Sequence, residues 1–255
     1  MFNDWLHIGP FTVHGYGACI AIGVLLALWL GCHRAKKRSM SEDIIYGMVF
    51  TGVIFGFIGA KILFLIVEWK EFIANPLAAI SSSGFVVFGG LTLGMIAIFF
   101  YARIKKVDFL KYFELCLPSV ALGQAFGRIG CFMAGCCYGK ETDSCIGVTF
   151  HHSDFAPNNV SLIPTQLISA GGNFLNMVLL LIISSKSKKP GVTLGCYFIF
   201  YSIGRFLVEL LRDDPRGSVG ALSTSQFYGI FMLIFGIGML VWGLRHKEKQ
   251  ADEAV

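Results

Sequence analysis

Charge is scarce in this sequence. Asp, Glu, Lys and Arg make up 15% of its 255 residues, against about 25% in an ordinary soluble domain. The scarcity is uneven. Long stretches carry almost no charge, and the charges gather in short runs between them. That pattern excludes a large soluble domain. Lys and Arg are missing from Met1 to Pro10, so the basic n-region of a cleavable signal peptide is absent and the first apolar run is expected to be retained. Tandem repeats are absent, as is low complexity outside the polar tail.

What is present is apolar length. Apolar residues make up 55% of the chain, and each helix crossing a bilayer needs roughly 20 of them. Seven runs qualify, at 13–32, 44–67, 85–102, 113–133, 166–185, 191–211 and 226–244. They predict an all-α integral membrane protein, a single polytopic domain over 1–255 with seven transmembrane helices. Two longer outer loops are expected at 68–84 and 134–165, and a tail at 245–255. Pro164 is placed to open the fifth span, because proline is tolerated in a first helical turn. In the second span Gly52, Gly56 and Ala60 form a small-residue stripe that lets another helix approach closely.

Basic residues predict the orientation. One side carries 14 of them: Arg34, Lys36, Lys37, Arg38, Arg103, Lys105, Lys106, Lys111, Lys186, Lys188, Lys189, Arg245, Lys247 and Lys249. The other carries Lys70, Lys140 and Arg216. This split puts the N-terminus outside and the C-terminus in the cytoplasm. The net charge of +5 then belongs to loops facing anionic lipid, and no nucleic-acid partner is implied.

Four basic residues, Lys61, Arg128, Arg205 and Arg212, lie within spans or at their ends. Ionisable groups there cost about 2.5–3.5 kcal/mol on the gentlest scale and are functional candidates by default. Arg205 and Glu209 stand i,i+4, and Glu209 and Arg212 i,i+3, so the three share a helix face and can pair. Pairing alone is an equally good reason for them. Counted by themselves they keep one positive charge, which favours a nearby anion such as a lipid phosphate. Arg128 sits among Gly123, Gly127, Gly130 and Gly135, glycines that suit backbone approaching a ligand or another helix. Its planar fork suits phosphate, and Arg205 would complete a two-arginine clamp.

Cys131, Cys136, Cys137 and Cys145, with His151 and His152 beyond, match no recognised zinc-ligand spacing, so no metal site is expected from spacing. A disulfide remains open, although adjacent Cys136 and Cys137 do not readily bridge to each other. Packing of small buried thiols is the leading reading.

Gly127-Arg-Ile-Gly130-Cys131-Phe-x-x-Gly135-x-x-x-Gly139 resembles the signature of the bacterial prolipoprotein diacylglyceryl transferases, Gly-Arg-x-Gly-Asn-Phe-x-Asn-x-Glu-x-x-Gly. The likeness runs over nearly the whole chain. Ile8-Gly-Pro with His14, Tyr16 and Gly17 looks like the family's entry to its first span. Gly59-Ala60-Lys61 stands at its Gly-Gly-Arg, Phe88-Gly89-Gly90 at its His-Gly-Gly, and Pro164-Thr165-Gln166-Leu167 at its Pro-Ser-Gln-Leu. Tyr201, Arg205, Glu209 and Arg212 match its Tyr-x-x-x-Arg-x-x-x-Glu-x-x-Arg. Several positions depart from the pattern: Phe88 for histidine, Cys131 for asparagine, Cys136 for glutamate, Lys61 for arginine, and Ile168-Ser169 for a Tyr-Glu pair.

The resemblance implies an enzyme of the bacterial cytoplasmic membrane, with seven spans, an outer N-terminus and no cofactor. It would move the diacylglyceryl group of phosphatidylglycerol to the lipobox thiol of a preprolipoprotein, recognising the signal-peptide region. A thioether forms and glycerol phosphate leaves. Carried over, Arg128, Arg205, Glu209 and Tyr201 are the candidate catalytic residues. Arg128, Arg205, Arg212, Lys61, His14, Tyr16, Gly89, Gly90, Gly127, Gly130 and Gln166 are the candidate substrate-binding set. Phe88 cannot take a proton, so the thiol proton falls to Glu209, Tyr201, His14 or the field of the arginines. The alternatives are a same-fold protein acting on another lipid or thiol acceptor, or a non-catalytic anionic-lipid-binding or thiol-redox membrane protein.

Overall fold

The computed structural model describes residues 4–8, 11–82, 84–214, 217–220 and 222–245. Arg216, Lys247, Lys249 and most of the expected tail lie outside the described residues. A hairpin of β1 (Asp4–Ile8) and β2 (Phe11–His14) leads into α1 (Gly15–Lys37). Then follow α2 (Glu42–Val67), α3 (Trp69–Ala74), α4 (Pro76–Ser81), α5 (Val87–Ile104) and α6 (Phe109–Ala134). The stretch after α6 carries β3 (Val148–Thr149) and β4 (Ser161–Leu162). The chain continues through α7 (Thr165–Lys186), α8 (Val192–Glu209), a hairpin of β5 (Ser218–Val219) and β6 (Leu222–Ser223), and α9 (Thr224–Arg245).

Seven helices, α1, α2, α5, α6, α7, α8 and α9, are long and apolar enough to cross a membrane. They coincide with the seven expected runs. The ends differ for local reasons. The first helix continues to Lys37 rather than stopping at 32, and Arg34, Lys36 and Lys37 occupy its last turn. Cations there complement the negative end of the helix dipole. Glu42 and Asp43 open α2, where negative charge is favoured.

Contacts divide the chain into two compact units, 1–30 with 114–255, and 31–113. In the second unit, α2 packs on α5 through glycine. A Cβ on Gly90 would stand 2.7 Å from the Gly56 carbonyl oxygen, and one on Gly94 3.2 Å from that of Gly52. Gly59 and Gly89 approach each other's carbonyls still more closely. The small-residue stripe of the second span therefore packs against a matching stripe on α5.

In the first unit, α8 and α9 cross in the same way. A Cβ on Gly195 would lie 2.7 Å from the Gly236 carbonyl oxygen, and one on Gly236 2.9 Å from Phe198 Cβ. The start of α8 is capped by α6: buried Glu114 accepts a 2.9 Å hydrogen bond from the Leu194 backbone N–H. That N–H is one of the orphan donors of a first turn, and the carboxylate also matches the dipole.

Neither of the two longer connections, 68–84 and 134–165, is a plain loop. Within 68–84, α3 and α4 are joined at Asn75, whose Oδ1 accepts from the Ala78 N–H at 3.2 Å, with Pro76 opening α4. Within 134–165, β3 pairs antiparallel with β4 beside a small core of Phe150, Ala156 and Leu162, covered by Phe132, Tyr138 and Val160.

The α8–α9 crossing predicts a contrast within one helix. Gly236→Leu should destabilise the detergent-solubilised protein by about 1–3 kcal/mol through overpacking. Gly238→Ala, with nothing within 4 Å, should leave stability unchanged or raise it slightly. Thermal unfolding of the two variants checks this.

Candidate functional site

At the end of α8 a carboxylate is enclosed by guanidinium groups. Glu209 is 3% exposed, and its Oε2 lies 2.9 Å from Arg205 Nη2 and 3.8 Å from Arg212 Nη1. The helix spacing i,i+4 and i,i+3 puts them there. Arg205 Nη2 also donates to Ser225 Oγ at 2.6 Å, which ties α8 to the start of α9. Arg212 donates from Nε and Nη2 to the two carboxylate oxygens of Asp214, at 2.8 and 2.6 Å. The expected three-member triad is thus a four-member chain, Arg205–Glu209–Arg212–Asp214, and it is charge-balanced. The surplus positive charge expected of the triad is corrected by Asp214, whose proximity came from the turn after α8 and not from helical spacing.

A cleft of about 190 Å³ opens beside this chain. Arg128 from α6 and Arg205 and Tyr201 from α8 line it, together with Ser169, Asn173 and Asn176 from α7. Tyr201 stacks on Tyr197 at 6.0 Å, and the Tyr197 hydroxyl accepts from Gln124 Nε2 at 2.8 Å. Asn176 is 4% exposed. Neither of its amide atoms, nor Arg205 Nη1, has a hydrogen-bond partner among the described residues. Unsatisfied buried polar groups are costly and call for explanation. Bound anionic oxygens or ester carbonyls would satisfy Arg205 Nη1 and Asn176 Nδ2, and a hydroxyl donor would satisfy Asn176 Oδ1. Sequence reading missed Asn173, Asn176, Ser225 and Asp214. The two asparagines, i,i+3 in an apolar span, were the available signal.

The signature segment is fastened to both neighbours. After α6, Gly135 has φ +75° and Cys137 φ +61°. The Cys136 N–H donates to the Cys131 carbonyl at 3.1 Å. From the first turn of α7, Gln166 Nε2 donates to the Cys136 carbonyl at 2.8 Å and Thr165 Oγ1 to the Cys137 carbonyl at 2.7 Å. Gly139 bridges Arg212, with the Lys140 N–H donating to the Leu211 carbonyl at 2.9 Å. A Cβ on Gly139 would meet the Ile163 carbonyl oxygen at 2.6 Å, which is why glycine stands there. Gln166, expected to bind substrate, is fully enclosed and holds backbone. Tyr16 crosses Gly130, where a Cβ would lie 3.2 Å from its ring. It faces Arg128 and the three cysteines electrostatically. Outside the spans, the Cys137 thiol is held below the usual thiol range, first by the neighbouring thiols of Cys131 and Cys136, then by the charges of Arg212 and Arg128.

Lys61, Gly89 and Gly90 lie in the other unit. Lys61 Nζ donates to the Ser82 carbonyl at 2.7 Å, the Ser82 hydroxyl at 3.1 Å and the Gly84 carbonyl at 3.4 Å, with Phe64 and Phe85 rings beside it. It ties α2 to the residues that follow α4. Gly89 and Gly90 stand at the α2–α5 crossing. Phe88 is half exposed, and His14 is exposed at the end of β2. Nothing within 4 Å would meet a Cβ on Gly127.

Removing a partner from a buried ion pair strands the opposite charge and costs about 3–5 kcal/mol. Glu209→Gln should therefore destabilise the solubilised protein by about that amount, since two guanidiniums lose their counter-charge. Asp214→Asn should lose less, about 1.5–3 kcal/mol. Denaturation of the purified variants measures both.

Residues 4–242 match the family model described as prolipoprotein diacylglyceryl transferase. A phosphatidylglycerol–prolipoprotein diacylglyceryl transferase of Clostridium tetani is 48% identical over 239 residues, covering 93% of this chain and 95% of the relative. One of Clostridium perfringens, numbered 2, is 44% identical over 88% of this chain and 89% of its own length. One of Bacillus cytotoxicus is 32% identical over 97% and 93%. Likeness of this extent, together with seven spanning helices and the glycine–arginine signature in place, makes this multi-pass membrane protein a member of the prolipoprotein diacylglyceryl transferase family.

Proposed function

We propose that this chain transfers the diacylglyceryl group of phosphatidylglycerol to the lipobox cysteine thiol of a preprolipoprotein. The observation that carries the proposal is the cleft lined by both Arg128 and Arg205, walled by membrane-spanning helices. A phospholipid needs such a cleft: apolar for its chains, cationic for its phosphate.

The reaction joins the substrate sulfur to the glyceryl methylene carbon and breaks the bond from that carbon to the phosphate oxygen. Negative charge grows on the departing phosphate. Preorganised donors aimed at developing charge supply the largest single catalytic contribution in many enzymes. Arg128 and Arg205 fill that role here. Glu209 holds Arg205 in position, and Arg212 braces Glu209 from the other side while engaged with Asp214. Tyr201 orients the lipid beside Arg205, and Asn176 Nδ2 donates to an ester carbonyl. Tyr16 and His14 approach the acceptor peptide from the start of α1. Gly127 and Gly130 leave α6 smooth beside Arg128. Gln166 acts through the signature backbone, while Lys61, Gly89 and Gly90 shape the other unit. The site belongs to the bacterial cytoplasmic membrane, with the N-terminus outside, as the basic residues of the turns after α1, α5 and α7 favour.

Arg128→Ala and Arg205→Ala should each lower transfer by about 10²–10³-fold, the usual loss of one such donor. The assay is thioether formation on a reporter lipoprotein in membranes depleted of the endogenous enzyme, read by mass analysis. Activity retained in both variants would refute the clamp, and no thioether with the unaltered chain would refute the function. Orientation is checked separately: a membrane-impermeant thiol reagent should label a cysteine placed at Lys70 but not one placed at Lys188 in intact cells.

A further inference from the structure

The signature segment gathers three thiols. The Sγ atoms of Cys131, Cys136 and Cys137 all lie within 4.8 Å of one another, and none is in a disulfide. Metal–sulfur bonds of about 2.3 Å in a tetrahedral or trigonal site separate the sulfurs by about 3.8–4.0 Å. Closure by less than about 1 Å therefore makes a three-thiolate site.

Packing does not explain this arrangement. The three residues are half-buried rather than enclosed. The backbone is bent through two left-handed residues, Gly135 and Cys137, to bring the thiols back to the end of α6. A left-handed residue other than glycine is uncommon, and such strained backbone persists where the surroundings over-determine it. The surroundings do so: Gln166 and Thr165 hold the Cys136 and Cys137 carbonyls, and the Cys136 N–H holds that of Cys131. Cys136 Sγ also donates to the Cys131 carbonyl at 3.7 Å. Arg128 and Arg212 supply positive charge beside the cluster. Three thiolates around a divalent cation leave one negative charge, which Arg128 balances, Arg212 being already paired with Glu209 and Asp214.

We propose that Cys131, Cys136 and Cys137 bind one zinc ion whose fourth position takes the acceptor thiol. The proposal rests on the transferase reading. Three protein ligands with one open position is the pattern of catalytic zinc, and a coordinated thiol is deprotonated. Cys131 follows Arg128 by three residues on α6, so the two share a face about 4.5 Å apart along the axis. The nucleophile's metal and the leaving group's arginine are thus neighbours.

The step balances without a redox change. The acceptor thiol gives its proton to water as its sulfur binds zinc. A sulfur electron pair then attacks the glyceryl methylene carbon. The carbon–oxygen bond breaks, and its pair leaves on the phosphate held by Arg128 and Arg205. The neutral thioether dissociates from the zinc. No side-chain base is required, which suits a chain with Phe88 at the family's histidine position.

The test uses the full chain purified in detergent without chelator. Metal analysis should find about one zinc per chain, falling several-fold in Cys136→Ser and in the triple serine variant. Because those variants can fail to fold, the unaltered chain is also stripped and loaded with cobalt(II). It should show thiolate-to-cobalt charge-transfer absorption. A synthetic lipobox peptide should raise that absorption by about one third, as three thiolates become four, and the same peptide with serine for cysteine should not. Absence of stoichiometric zinc together with absence of the cobalt band would overturn the proposal. So would a band indifferent to the cysteine peptide, or full reporter transfer by metal-free chain; the last result leaves the transferase reading standing. Zinc binding and a peptide response without thioether on the reporter would support the metal site and sink the transferase reading instead.

Discussion

The enclosure of one carboxylate by two arginines at the end of α8 is the constraint around which the first unit is arranged. Glu209 sits at 2.9 Å from Arg205 and 3.8 Å from Arg212, in a region where an unpaired charge is strongly unfavourable. Each guanidinium then needs further partners. Arg205 finds Ser225, and Arg212 finds both oxygens of Asp214. These contacts join α8 to α9 and to the turn that follows α8. Arg205 Nη1 has no hydrogen-bond partner among the described residues, and it stands next to the cleft that Arg128 and Asn176 also line. Binding capacity is concentrated where the pairing stops.

Helix packing makes room for this arrangement. Lipid tails are as apolar as leucine, so close backbone approach matters more in a membrane than burial of apolar surface. Gly195 meets Gly236 between α8 and α9, and Gly59 meets Gly89 between α2 and α5. The first crossing holds α8, with its arginine chain, against the helix that supplies Ser225. The second organises the other unit, where Lys61 ties α2 to the residues that follow α4.

The signature segment has two halves with different duties. Gly127 to Gly130 stay helical, with space beside Gly127 and Tyr16 packed closely on Gly130. From Gly135 onward the chain leaves the helix, and residues 139 and 140 lie between Ile163 and the Leu211–Arg212 backbone. That pairing brings Cys137 close to Arg212. It also explains why Pro164-Thr165-Gln166 is part of the site without touching the cleft: its side chains hold the carbonyls of the cysteines.

By itself, the amino-acid sequence determined seven spans, the pairing of Arg205 with Glu209 and Arg212, the small-residue stripe of α2 and the family signature. These are legible because they depend on local periodicity: about 20 apolar residues to span, three or four residues to share a helix face. Asp214, Ser225 and Asn176 were not legible, since each meets the site by a turn or from another helix. The thiol cluster was hidden for the same reason. Its spacing matches no ligand framework along the chain, and only the left-handed backbone at Gly135 and Cys137, held by hydrogen bonds from α7, folds Cys136 and Cys137 onto Cys131. Periodicity is written in one dimension, whereas the convergence of side chains from a bent loop is decided by tertiary contacts.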